Sequence, residues 1–150
     1  MRVVIQKVTQ ASVQIHGKVH ASIGAGLLVL AGWEEGDTAE DNTWMVQKIV
    51  KMRLFEDQDG VMNRSVMEME GQILVISQFT LHAATKKGNR PSYYRAAHPR
   101  TSEPLYEDFL DQLWNVSNLS VKSGEFGADM QVALINDGPV TITMDSKNKE

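Results

Sequence analysis

A chain of 150 residues, 42% apolar and carrying a formal charge of −4, has the size of one compact domain with one core and leaves little for a second. The absence of cysteine excludes disulfides, thiolate chemistry and cysteine-held zinc. No apolar run approaches the roughly 20 residues of a membrane-spanning helix, so the expectation is a cytoplasmic protein with no membrane partner.

In chain order, "MRVVIQKV" is too short in its apolar stretch for a secretory signal and fits a first strand. Short β-rich runs follow, Val3 to Val8, Ala11 to His16 and Val19 to Ile23, with "HGK" as a tight turn between the last two. The continuous apolar run "GLLVLAG", Gly26 to Gly32, reads as a strand covered on both faces. "GDTAEDNTWMVQKIVKMRLF" predicts a helix, with Asp37 or Thr38 as N-cap, acids in its first turn, and Met45, Ile49 and Met52 at helical spacing. "EDQDG" is a turn, and "GQILVISQFTL", Gly71 to Leu81, is another strand. A second helix starts near "TSEPLYEDFLDQLW", where Pro104 suits a first turn and Leu105, Phe109 and Leu113 recur every four residues. Two strands, Asp129 to Ile135 and Val140 to Met144, close a domain spanning 1–145, and residues 146–150 are expected to be a disordered tail. This order describes a mixed α/β domain with helices on an outer face of its sheets, not a doubly wound sheet.

Charge is unevenly spread. Between Gly71 and Ser102 there is no acid, while Lys86, Lys87, Arg90, Arg95 and Arg100 give that segment +5 and leave −9 on the remainder. Tyr93, Tyr94, His82 and His98 interleave with these cations in a stretch with the composition of a long loop. Such a loop suits contact with phosphates and bases, and it equally suits a solvated loop whose charges do nothing.

Candidate chemistry is sparse. The four histidines have no carboxylate at ligand spacing, and "FEDQDG" lacks the later ligands of a calcium loop, so no metal site is expected. In "SQFTL", a strand would put Gln78, Thr80 and His82 on one face. Thr80 as nucleophile with His82 as base would then leave them about 6–7 Å apart, too far for proton transfer. The stretch "NDGPVT", Asn136 to Thr141, is a plain turn signature, but Gly138-Pro139 also has the chemistry for a cis peptide bond. Both readings stay open on these residues.

Taken together, "SQFTL" and "NDGPVT" in a cysteine-free chain of this length resemble the D-aminoacyl-tRNA deacylases, once called D-tyrosyl-tRNA deacylases. The resemblance spans the chain through "IQKVTQASV", "GAGLLVL", "RLFEDQDGVMN", "RPS" and "FGADMQVALINDGPVT". It implies an α/β single domain of mixed, barrel-like β-sheets with helices on the outer face, assembled as a homodimer and needing no cofactor. The implied reaction is hydrolysis of the ester between a D-amino acid, or misplaced glycine, and tRNA. Ser77, Gln78, Phe79 and Thr80 would form the catalytic stretch. Gly138, Pro139, Val140 and Thr141 would enter the partner's site with the Gly-Pro bond cis, and Phe126 and Met130 would pack near the adenine. Lys86, Lys87, Arg90 and Arg95 would reach tRNA phosphates.

The chain departs from the family pattern at Lys7, where arginine is usual, and at His82. Two rival readings remain. One is a catalytically silent dimer binding tRNA ends, or a DNA-associated factor, and the other is an esterase with Thr80 as nucleophile.

Overall fold

The computed structural model describes residues 1–150. Eight strands and two α-helices run in the order β1 (Arg2–Ile15), β2 (Lys18–Ile23), β3 (Gly26–Gly32), α1 (Ala39–Lys51), β4 (Arg53–Glu56), β5 (Met62–Ser65), β6 (Gln72–Ser77), α2 (Pro99–Ser117), β7 (Val121–Ser123) and β8 (Gln131–Asp145). A 3₁₀ turn, Phe79–His82, follows β6. The main sheet has the order β2-β1-β3-β6-β7, with β8 laid along the other side of β1. β3, β6 and β7 are parallel neighbours, as the helical crossovers α1 and α2 require. The sheet curls until Lys122 on β7 donates to the Ser22 carbonyl on β2 at 2.7 Å, giving the mixed, barrel-like α/β domain that was expected.

Two apolar cores lie on opposite faces of this sheet. Val3, Ile5, Leu27, Val29, Ile73 and Val75 pack against Met45, Ile49, Phe109 and Leu113 of the helices. Val8, Ala11, Val13, Leu28, Leu74 and Ile76 fill the inside of the curl. Adjacent residues such as Leu27 and Leu28 therefore serve different cores, which explains why β3 is apolar at nearly every position. The helix layer is fixed by Asn42, fully buried on α1, which accepts from Trp33 Nε1 at 2.8 Å and donates to the Leu105 carbonyl and Asp108 at 2.8 Å. Each polar group of that buried amide is thereby paired.

The structure redraws several boundaries. β1 is continuous, because β8 accompanies it throughout while its other neighbour changes from β3, up to Val8, to β2, from Ala11. Thr38, not Asp37, caps α1, its N–H donating to Asp41 at 2.9 Å. α2 begins at Pro99, capped by His98, so Pro104 lies inside the helix and not in its first turn. β6 stops at Ser77, four residues short of expectation. Gln78 leaves the strand and its carbonyl crosses Gly32 so closely that a Cβ there would lie 2.5 Å from it.

The last expected strands are one, β8, interrupted by a bulge. Gln6 pairs with Thr141 and Val8 with Asn136, so Asp137 to Val140 stand opposite Lys7 alone. The Gly138-Pro139 bond within it is cis, and the plain turn between two strands does not occur. The expected tail also starts in order. Ser146 is buried, accepting from the Met1 amine at 3.0 Å and donating to Asp41 at 2.7 Å, while Lys147 pairs with Asp41 at 2.8 Å. Burial opposes the Asp41 charge, but the hydrogen bonds from Lys147 and Ser146 prevail and hold its carboxyl at about 2.

Candidate active site

Parallel strands point their carboxyl ends the same way, and in open α/β sheets the crevice beyond those ends is the usual ligand site. Here the ends of β3 (Ala31, Gly32) and β6 (Ile76, Ser77) open into a cavity of about 520 Å³. Its rim continues through Gln78 and Phe79, through Phe126 to Met130 before β8, and through Ala96, Ala97 and Pro99 at the start of α2. Phe126 is backed by Tyr106 at a ring-centroid distance of 5.7 Å. The Tyr106 hydroxyl donates to the Val75 carbonyl at 3.3 Å, and burial pushes it up to about 12, so it acts as a neutral support.

Ser77, Gln78, Phe79, Phe126 and Met130, far apart in sequence, thus share one cavity. Thr80 does not line it. Its hydroxyl accepts from the Gln78 side-chain amide, which orients Gln78. With the chain in a 3₁₀ turn, the alternation proposed for Gln78, Thr80 and His82 disappears. His82 is fully buried with neither ring nitrogen hydrogen-bonded, and its pKa is lowered by burial. Phe79 and Thr80 open that turn, so their amide N–H groups have no acceptor within it.

Gly138, Pro139, Val140 and Thr141 lie outside this cavity. The bulge is tied instead to β1. Asn136 donates to Gln6 and, at 3.0 Å, to Thr141, and its oxygen accepts the Val140 N–H at 3.1 Å. Lys7, only 7% exposed, sits 3.5 Å from Asp137 and 5.5 Å over the Phe55 ring. Gly138 and Pro139 themselves are exposed.

Among the cations, Lys86, Lys87 and Arg90 are exposed and make no ion pair, but Arg95 is bound to Glu34 at 2.7 Å. Burial opposes the Glu34 charge, but the Arg95 hydrogen bond and charge outweigh it and keep the carboxyl below its ordinary range. Arg95 therefore anchors the loop and is not a free phosphate contact. No three His, Asp or Glu side chains gather in metal-binding fashion. A larger hollow of about 1240 Å³ between α1 and β8 touches only Leu81 of the turn and holds none of the residues singled out above. Sequence reasoning missed the Ala31–Trp33 and Ala96–Pro99 walls, for which the available signal was the parallel-strand rule.

A family model described as D-Tyr-tRNA(Tyr) deacylase matches residues 4–145. The chain is 59% identical over its full length to a protein of Bacteroides fragilis called D-aminoacyl-tRNA deacylase, and 58% identical to one so called from Akkermansia muciniphila, in both cases over the whole relative. A solved structure named "c-Myc DNA Unwinding Element Binding Protein" superposes with a TM-score of 0.92 at 42% identity, covering 97% of this chain and 98% of that one. A second, described as a probable eukaryotic D-amino acid tRNA deacylase, shares the fold at TM-score 0.82 and 18% identity, over 95% and 97% of the two chains.

Proposed function

Because the chain belongs to the D-Tyr-tRNA(Tyr) deacylase family of ester hydrolases, we propose that it cleaves the ester joining a D-amino acid to the terminal adenosine of tRNA. Free D-amino acid and tRNA are the products, and no cofactor is required. The observation that carries this reading is a separation. The cavity edged by Ser77, Gln78 and Phe79 and the exposed Gly138–Pro139 bulge lie apart in one chain. A homodimer in which each bulge enters the partner's cavity joins them.

The stereochemistry makes that junction useful. With ester and amino group held fixed, D and L forms exchange the positions of hydrogen and side chain. A site accepting many D side chains yet refusing every L one needs a wall where the L side chain would go, not a fitted pocket. Main-chain carbonyls of a bulge braced by Lys7, Gln6 and Asn136 make a wall indifferent to side-chain identity. Glycine, with hydrogen in both places, passes it, so glycyl-tRNA is a second substrate.

Catalysis rests on position. The amides of Phe79 and Thr80 stabilise the oxyanion formed when water attacks the ester carbonyl, and the 2′-hydroxyl of the terminal ribose assists proton transfer. Gln78, steadied by Thr80, orients the amino acid or the water. Phe126 and Met130 pack against the adenine, and Lys86, Lys87 and Arg90 face the acceptor-stem phosphates. A Thr80 nucleophile is disfavoured, because its oxygen already accepts from Gln78 and buried His82 offers it no base.

The test is release of tyrosine from D-tyrosyl-tRNA against L-tyrosyl-tRNA, with a chelator present. Loss of the D ester alone is expected. A second reading, nucleic-acid binding without turnover, draws on the name of the 42% identical structure. It is the one left standing if neither ester is cleaved while RNA or DNA is still bound.

A further inference from the structure

Tyr94 is 77% exposed, the most exposed large apolar side chain of the protein. It stands at the apex of a β-turn closed by the Ala96 N–H donating to the Tyr93 carbonyl at 3.0 Å. That turn is anchored on every side. Arg95 holds Glu34, the Ala97 N–H donates to the Trp33 carbonyl at 2.9 Å, and Ala84 and Ser92 exchange two backbone hydrogen bonds of 2.7 and 3.0 Å. A ring presented to water on so fixed a support is preorganised for a partner, because little conformational freedom remains to be lost on contact.

Its surroundings indicate which partner. Tyr93 meets Phe79 edge-on at 5.2 Å, and Phe79, 56% exposed, is a rim residue of the cavity. The aromatic surface therefore runs from the reaction site to the loop. On the same loop, Lys86, Lys87 and Arg90 are exposed without an acid to neutralise them. Exposed rings beside unpaired cations are the arrangement that binds single-stranded nucleic acid, bases stacking on the rings and phosphates following the cations.

We propose that Tyr94 is a stacking platform for an unpaired base of the substrate RNA next to the nucleotide that carries the ester, a reading that rests on tRNA as the substrate. Tyr94 then distinguishes an amino acid on an RNA end from the same amino acid on an isolated nucleoside. It adds affinity for the polynucleotide without touching the ester.

The experiment compares kcat/KM on D-tyrosyl-tRNA with that on the D-tyrosyl ester of adenosine, for the wild type, Tyr94→Phe, Tyr94→Leu and Tyr94→Ala. Loss of one base–ring stack lowers the ratio at least about fivefold in Tyr94→Ala, through KM. Tyr94→Phe is expected to keep the ratio and Tyr94→Leu to lose most of it. An unaltered ratio in Tyr94→Ala overturns the proposal, as does a Phe variant as impaired as Ala, which would point to the hydroxyl instead of the ring. If the wild type cleaves neither ester, the substrate reading fails separately. Binding of a short single-stranded RNA, followed by quenching of tyrosine fluorescence and by competition, still decides the platform. Equal affinity of wild type and Tyr94→Ala for that RNA sinks it.

Discussion

Gly32→Ala tests whether the geometry of the crossing between β3 and the turn after β6 controls the reaction. A Cβ at residue 32 would lie 2.5 Å from the Gln78 carbonyl oxygen and 3.4 Å from the His82 ring. Real contacts of this kind do not fall below 3.0 Å, so the Gln78 backbone must yield by at least about half an ångström. Overpacking of that kind costs about 1–3 kcal/mol, offset by about 0.4–1 kcal/mol from the stiffer unfolded chain. A net loss of about 1–2 kcal/mol lowers Tm by roughly 2–8 °C for a chain of this size. The rate should suffer more than the stability. A misplacement of 1 Å costs about 100-fold, so kcat/KM on D-aminoacyl-tRNA should fall about 10- to 100-fold at a temperature where the variant is folded. Val29→Ala, in the same strand but facing the helices, serves as control. It should lose about 2 kcal/mol through a cavity with little change in rate. Calorimetry and single-turnover deacylation read the two quantities. A Gly32→Ala rate within about twofold of wild type would refute the claim that this crossing sets the site.

Thr80→Ala should keep substantial hydrolytic activity, losing about tenfold at most from a less ordered Gln78, and no acyl-enzyme should be trapped by acid quenching; near-total inactivation would restore Thr80 as nucleophile. Lys7→Met removes the charge 3.5 Å from Asp137 while keeping length over Phe55. The ratio of D to L cleavage should fall several-fold and recover in Lys7→Arg, as measured on the two tyrosyl-tRNAs. Asp41 contributes to the acid limit. Its folded pKa of about 2 lies below its ordinary 3.8, so the unfolded chain binds the proton first. Lys147, Ser146 and the Thr38 N–H, which hold the carboxylate together, contribute about 2 kcal/mol above pH 3.8, lost as pH falls toward 2. Lys147→Ala should lessen the fall of the denaturant midpoint across that window, and an unchanged acid profile would exclude the Lys147–Asp41 pair as a contributor.

Much of the fold was readable because it follows local rules. The run Gly26 to Gly32 is apolar at both alternations, and Met45 and Ile49 repeat with the helix. What escaped reading depends on distant partners. The end of β6 is set by Gly32 beneath Gln78, 46 positions earlier in the chain. Continuity of β8 through Gly138-Pro139 depends on β1, which resumes its pairing at Thr141 after the bulge. Pro99 and Pro104 both suit a helix start, and it is the first that opens α2, behind the His98 cap. For the candidate site, Ser77, Gln78 and Phe79 of "SQFTL" do line the cavity, but their faces were not legible, since alternation assumes a strand where a 3₁₀ turn stands. That Arg95 is held by Glu34 could not be read from a charge count, because the acid stands 61 positions earlier in the chain.

β3 has a core on each face and a hydrogen-bonded neighbour along each edge, β1 and β6. Its amides can reach solvent hydrogen only when both cores open together, so Leu28 and Val29 should exchange at the rate of global unfolding. β8, bonded along β1 alone, can release its protons through smaller openings. The cavity rim hangs from the end of β3, in the part of the molecule that lets go last, while the Gly138–Pro139 bulge belongs to a strand that can open sooner. Under mild denaturant, isotope labelling should find a window in which the strand ends that carry the cavity stay protected while the bulge and its flanks already exchange.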